Sequence, residues 1–173
     1  MPHVDLDGIV ASLRSNAQVV AAQLSGVTDA QARWKPEPGK WSILEVVTHL
    51  ADEEVEDFQA RVDSTLTDPE AEWPSIDPQG WAVRRRYNEG DLRASLARFL
   101  RERAASVSFL EGLTDPDWDR AYDHPRWGPI RAGDLLTAWV AHDHIHIRQL
   151  NRLQREYLVT SVSGYSPDYA GRW

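Results

Sequence analysis

The stretch Trp139-Val-Ala-His142-Asp-His144-Ile-His146-Ile-Arg-Gln149 places three imidazoles within five residues. At 100° per residue on a helix, His142, His146 and Gln149 fall within about 60° of one another, on the face that also carries Leu135, Trp139 and Leu153. His144 lies about 160° to 200° away with Arg148, Asn151 and Arg155. The spacing therefore aims two imidazoles inward and sends His144 to solvent. Histidines at i and i+4 can chelate one metal ion, because their ring nitrogens can converge at about 2.0–2.1 Å from a common centre. The same pair also reads as a hydrogen-bonded core pair, since inward imidazoles need polar partners. A third ligand is needed to decide.

His49 is the candidate for that ligand. On a helix it sits among Glu45, Asp52, Glu53 and Glu56, nearly opposite the apolar stripe of Leu44, Val47, Ala51, Val55, Phe58 and Val62. One reading is a surface histidine on a solvated acidic face. The other is a face lining a wet cleft that opens onto the later histidines, and periodicity does not choose between them. Glu53, one turn beyond His49, is the candidate partner behind that imidazole or a general base. Gln149, one turn beyond His146, is the candidate for orienting a ligand.

Composition narrows the chemistry. The 173 residues contain no cysteine, against six histidines and 27 carboxylates, so disulfides, thiolate metal sites and cysteine nucleophiles are excluded. A net charge of −8 disfavours nucleic acid as a partner. No apolar run approaches the roughly 20 residues that span a bilayer, and the start MPHVDLDG lacks the basic and apolar regions of a signal peptide. A cytoplasmic location with no membrane partner is the expectation. Eight tryptophans are an excess. Trp73, Trp81, Trp118, Trp127 and Trp173 fall outside the strongest helical patterns, where pocket wall and core are equally consistent readings.

Four amphipathic helices must position these groups. Leu6, Ile9, Val10, Leu13, Ala17, Val20 and Leu24 predict the first helix, ending at Gly26, with a short turn over 28–33. Ser42-Ile-Leu-Glu45 forms a capping box that starts the second, running to about Val62. Asp91 caps the third, which ends at Gly112, and the fourth runs from about Ala132 to about Glu156. Residues 63–90 and 114–133, rich in proline and glycine, read as long irregular connections, and a loop that long is usually functional or disordered. The pattern predicts an all-α four-helix bundle in one domain, 1–173, with long loops between helices 2 and 3 and between helices 3 and 4. Spacing alone leaves the order of helix directions open.

Several segments together resemble the DinB-like superfamily, and within it a branch of small bacterial proteins. They are Trp-x-Pro-x-Pro-Gly-Lys-Trp-Ser at 34–42, His-Leu-Ala-Asp-Glu at 49–53, Gly128-Pro-Ile-Arg with Gly133-Asp-Leu-Leu, and His142-Asp-x-x-His146-x-x-Gln149. The resemblance covers nearly the entire chain in the expected order. It implies a four-helix bundle with up-down-down-up directions. It also implies a divalent metal, zinc or nickel, held by three histidines, which carry over to His49, His142 and His146. Some similar proteins use a low-molecular-weight thiol and others resemble metal-dependent hydrolases, and homodimers are common among them.

The expected activity is therefore a metal-dependent reaction on a small-molecule substrate, by metal-activated water or by a metal-bound low-molecular-weight thiol. The alternative is a non-catalytic, stress-associated metal-binding protein or a dimeric interaction module. If the loop 73–87 covers the metal, Trp73, Trp81, Arg84 and Tyr87 are candidate substrate contacts, and His124 approaches from the other long loop. The other reading of Arg84, Arg85 and Arg86 is a solvated surface run. Nothing places His3 at a site.

Overall fold

The computed structural model describes residues 4–171, so His3 and Trp173 lie outside the described residues. The chain order is α1 (Leu6–Leu24), α2 (Asp29–Arg33), α3 (Ile43–Glu53), a π-helical turn (Glu54–Phe58), α4 (Gln59–Thr67), α5 (Pro78–Arg84), α6 (Leu92–Gly112), the strands β1 (Ala121–His124) and β2 (Gly128–Arg131), and α7 (Ala132–Ser161). α3, the π turn and α4 follow one another without a break and form one long helix. The four bundle helices are α1, this long helix, α6 and α7.

Side-chain caps start three of them. The Asp5 carboxylate accepts from the Gly8 amide, and Asp91 accepts from the Ala94 amide. At the head of α3 the capping box is complete: the Ser42 hydroxyl accepts from the Glu45 amide, and Glu45 accepts from the Ser42 amide. The Ser42 hydroxyl also donates to Asn88, which ties the end of the long connection to the start of this helix.

Contacts between the helices fix their directions. Thr48, Glu54 and Gln59 meet Ser95, Arg103 and Ser106 in rising order, so the long second helix and α6 run parallel. His49 meets His146 whereas Glu54 meets Trp139, so the second helix and α7 are antiparallel. Asn16 meets Asp143 and Gln23 meets Ile147, so α1 and α7 are parallel. Val10 and Leu13 cluster with Val107 and Leu110, whereas Val20 and Leu24 cluster with Leu92 and Phe99, which sets α1 antiparallel to α6. The order is up-down-down-up. Because the two middle helices run the same way, residues 68–91 must travel back along the bundle.

The core divides around a buried ionic cluster. One apolar group gathers Val20, Leu24, Ile43, Val47, Phe99 and Leu150; the other gathers Leu13, Phe58, Val62, Leu110, Leu136 and Trp139. Between them Arg103, 2% exposed, donates to both oxygens of Asp143 at 2.7 Å, to Glu54 at 2.6 Å and to the Leu13 carbonyl at 2.9 Å. Asn16 adds a bond to Asp143, and the Trp139 indole donates to Glu54. All four bundle helices meet at this one guanidinium.

The structure departs from the sequence expectations in four places. The second helix continues past Val62 to Thr67, and Val55, expected on the buried stripe, is 45% exposed. The π turn is the reason: its wider winding changes the phase of the helix and turns Glu54, Asp57 and Phe58 inward. Residues 63–90 are not wholly irregular, since α5 forms after an Asp77 cap with Pro78 at its first position. Seven residues are too few to display a helical period. Residues 114–133 hold an antiparallel hairpin, pairing Tyr122 with Ile130 and His124 with Gly128, whose four-residue strands give no lasting alternation. Finally, α7 extends five residues beyond Glu156, to Ser161. No helix among the described residues is long and apolar enough to cross a membrane.

Removing one partner from a buried ion cluster leaves the others uncompensated. Arg103→Met is therefore expected to cost about 3–5 kcal/mol in urea unfolding. Adding Glu54→Gln and Asp143→Asn to that variant should recover part of the loss. A loss under about 1 kcal/mol for the single variant would show that the cluster does not hold the bundle together.

Candidate metal centre

The long second helix brings His49, and α7 brings His142 and His146, to one point inside the bundle. Their Nε2 atoms form a near-equilateral triangle: 3.3 Å from His49 to His142, 3.2 Å from His49 to His146, and 3.1 Å between His142 and His146. Three nitrogens bound at about 2.0–2.1 Å around one tetrahedral ion stand about 3.3 Å apart, so the spacing suits a shared dication. Among the described residues, these three form the one group of histidine and carboxylate side chains converging this way.

The tautomers strengthen the fit. His146 Nδ1 lies 2.8 Å from Gln149 Oε1, an acceptor, so the proton belongs on Nδ1 and Nε2 presents a lone pair. His49 Nδ1 faces Glu53 Oε1 at 3.5 Å, and neither atom has a hydrogen-bond partner among the described residues. A proton on that Nδ1 again leaves Nε2 bare. Lone pairs facing each other at 3.2 Å repel, and a cation between them turns the contact attractive.

Electrostatics keep the three imidazoles in the form able to bind a metal. Burial, together with the charges of the other two imidazoles, holds His49 down to about 2. Burial, with His146 and Arg103 nearby, holds His142 down to about 3. His146 is also lowered by burial. All three are neutral at pH 7, the form that coordinates a metal. Glu53 is pushed up to about 9, first by burial and then by its hydrogen bond and charge interaction with Asp57.

The acidic face around His49 is not solvated. Every residue of α3 except Thr48 is buried, including Glu45, Asp52 and Glu53. Glu45, Asp52 and Glu56 have each met a partner from elsewhere in the chain, whereas Glu53 has His49 and Asp57 of its own helix beside it. Lys35 pairs with Glu45; Arg85 and Arg98 pair with Asp52, to which Tyr87 also donates; Arg85 pairs with Glu56 as well. His144 is exposed on the outer face of α7. Asp143 turns from that face into the neighbouring helices, to Arg103.

Aromatic rings line the triad. The Trp41 ring lies 4.7 Å from that of His49 and stacks over His146 at 6.3 Å, while Phe58 lies 5.1 Å from His142. Trp81 and Tyr87 are buried together, with Trp41 packed against them, so they reach the histidines through its indole. Arg84 is on the surface in an ion pair with Asp77, and it is Arg85 that lies over the Trp81 ring. Trp73 and His124 are brought to each other, with ring centroids 6.1 Å apart, in a separate cluster against the hairpin.

The model of the DinB superfamily matches residues 12–150 of this sequence. The chain belongs to the DinB superfamily. It is 26% identical over 151 residues to a protein of Bacillus subtilis (strain 168) named "Putative metal-dependent hydrolase YfiT", covering 87% of this chain and 80% of that one. A Bacillus licheniformis protein with the same functional description is 26% identical over 149 residues, covering 84% and 83%. The solved structure of YfiT, described as having an unusual four-helix bundle topology, matches with a TM-score of 0.79 at 24% identity, over 91% of this chain and 90% of that one. That likeness establishes the shared fold.

Within this DinB chain, sequence reasoning missed Trp41, Phe58, Asp57 and the Arg103 cluster. Two of these left a signal. Trp41 stands immediately before the cap residue Ser42, and Arg103 occupies a position in the apolar stripe of α6. A lone arginine on such a stripe indicates buried carboxylates facing it.

His49→Ala and His142→Ala are expected to abolish stoichiometric metal in untagged protein measured by elemental analysis. Glu53→Gln, which removes the carboxylate behind His49, should weaken metal binding about 10–100-fold in competition with a chromophoric chelator. Unchanged metal content in both alanine variants would overturn the assignment.

Proposed function

We propose that this DinB-superfamily protein is a metal-dependent hydrolase acting on a small molecule. The observation that carries the reading is the convergence of three neutral imidazoles, two buried and that of His142 half-buried, with no fourth histidine or carboxylate in the group among the described residues. Structural zinc sites close all four positions with protein ligands, whereas catalytic ones use three and leave one for water or substrate. The metal-dependent hydrolase descriptions of the two Bacillus relatives support the same reading.

When bound, a dication held by neutral ligands keeps its full charge, and so supplies Lewis acidity and lowers the pKa of water towards neutrality. The chain's own residues do the positioning. Gln149 holds the His146 ring by its Nδ1 proton, and Glu53 faces the His49 ring from behind. Both carboxylate and amide lie on the side of their ring away from the triangle, which fits them to hold the ligands in place. Trp41 covers two of the three rings and excludes water from them. Asp52, through Arg85 and Tyr87, clamps the 77–90 segment onto the second helix and keeps Trp81 against Trp41.

The test is a panel of carboxylic esters, amides and phosphoesters, with metal-stripped protein reloaded with Zn²⁺ or Ni²⁺. Hydrolysis that appears only on reloading, and falls by about two orders of magnitude or more in His142→Ala, is the expected result. Hydrolysis indifferent to metal and to the triad would sink the reading. Products carrying an added thiol in place of water, seen by mass spectrometry, would replace it with metal-assisted thiol transfer.

A further inference from the structure

The hairpin and the start of the crossover segment border an open cleft of about 370 Å³. That is within the range of small-molecule sites, roughly 300–1,000 Å³. Its walls are two aromatic stacks. Trp73 lies on Tyr122 with centroids 4.1 Å apart and 19° between planes, and His124 lies on Trp127 at 4.4 Å and 19°. The stacks meet at a corner, since His124 is inclined 57° to Trp73 and 76° to Tyr122, each at 6.1 Å. A flat ring placed on one plane presents its edge to the other, the two geometries that aromatic contacts favour.

Local backbone chemistry builds this corner. The register leaves Pro125, Arg126 and Trp127 as a three-residue loop between His124 and its partner Gly128, whose φ of +72° is a left-handed conformation that glycine adopts without strain. The loop amides of Arg126 and Trp127 donate to His124 Nδ1 at 3.1 and 3.3 Å. An Nδ1 that accepts carries no proton, so His124 presents Nε2–H as a donor. Trp127 remains 63% exposed on this loop, an unusual cost for so large an apolar ring unless something covers it.

Charge selects the guest. Arg61 lies 4.8 Å from the centre of the Trp73 ring and Arg126 lies 5.7 Å from that of Trp127. Arg61 is paired with Asp57, whereas Arg126 has no ion pair among the described residues. Glu72 on the exposed rim is the carboxylate in the lining, so two guanidinium groups stand against it. An ammonium ligand, the usual guest of an aromatic cage, would find the indole faces already approached by cations. A carboxylate would find Arg126 and the His124 donor. The Trp73 indole N–H is moreover buried without an acceptor, and buried donors of that kind are rare.

The geometry points to this cleft as a second binding site, for a planar aromatic carboxylate whose ring lies on the stacked walls and whose charge meets Arg126 and His124. The site stands on its own residues and does not depend on chemistry at the histidine triad. Titration calorimetry with 2-naphthoate tests it. Saturable binding is expected, at least about tenfold tighter than that of cyclohexanecarboxylate, which keeps the charge and loses the plane, or of benzyltrimethylammonium, which reverses the charge. Trp127→Ala and Arg126→Gln, both at exposed positions whose fold is checked by circular dichroism, should each weaken binding about five- to tenfold, while His49→Ala leaves it unchanged. No saturable binding up to about 10 mM overturns the proposal. So does tighter binding of the ammonium probe, or loss of naphthoate binding in His49→Ala but not in Trp127→Ala, which would locate the probe at the triad.

Discussion

The ion cluster at Arg103 sets the register of everything else. A guanidinium offers a planar fork of donors, and here one fork reaches the other three bundle helices: the Leu13 carbonyl, Glu54 and the Asp143 carboxylate. Apolar packing alone tolerates sliding and repacking, whereas a buried ion left without its partner costs several kcal/mol, so the cluster acts as a registry pin. Asp143 follows His142 directly, and Glu54 stands five residues after His49. Pinning both carboxylates to one guanidinium therefore fixes the height at which the second helix meets α7. The three imidazoles converge because that height is fixed.

A second constraint is the charge of the second helix. Its inward faces carry Glu45, Asp52, Glu53, Glu54 and Asp57, and burying them demands cations or shared protons. Arg103 serves Glu54, Arg61 serves Asp57, and Arg85 and Arg98 serve Asp52. Glu53 faces the three imidazoles instead, and its pKa, pushed up to about 9 by burial and by its bond with Asp57, leaves it protonated beside His49. Exposed ion pairs such as Arg84 with Asp77 contribute little. Asp52, at 1% exposure, is a different matter: its partners bind the loop segment to the helix that bears His49.

How much of this was legible in the sequence depends on how many neighbours each element has. α7 packs on one side and leaves the other wet, so counting phase separated His142 and His146 from His144 and placed Trp139 in the core. α1 and α6 have the same simplicity: Gly26 marks the end of the first, and Asp91 and Gly112 mark the two ends of the second. α3 is enclosed on nearly all sides, and an amphipathic wheel presumes a solvent side that it lacks. The wheel therefore left His49 open between surface and cleft, and it was the family resemblance that implied a ligand there. The π turn was invisible because it changes the angle per residue without changing the residue types. The hairpin was hidden by its length, since two alternations per strand do not make a pattern.

Helix order connects the two sites. In an up-down-up-down bundle consecutive helices are antiparallel and short turns suffice. Here the parallel second helix and α6 force a crossover, and 24 residues, 68–91, make that journey. A crossover of this length must be anchored at both ends to avoid the entropy of a free loop. It is anchored at the departing end by Trp73 on Tyr122 and at the arriving end by Trp81, Tyr87 and Asn88 on the head of the second helix. Aromatic side chains serve this well, because each buries a large area at the cost of ordering only two side-chain torsions. The anchors then stand as ready-made walls: one beside Trp41 and the triad, the other in the corner facing the hairpin. The tryptophan excess is in this respect a consequence of topology, and the parallel pair of middle helices is what gives a bundle this small two aromatic-lined sites.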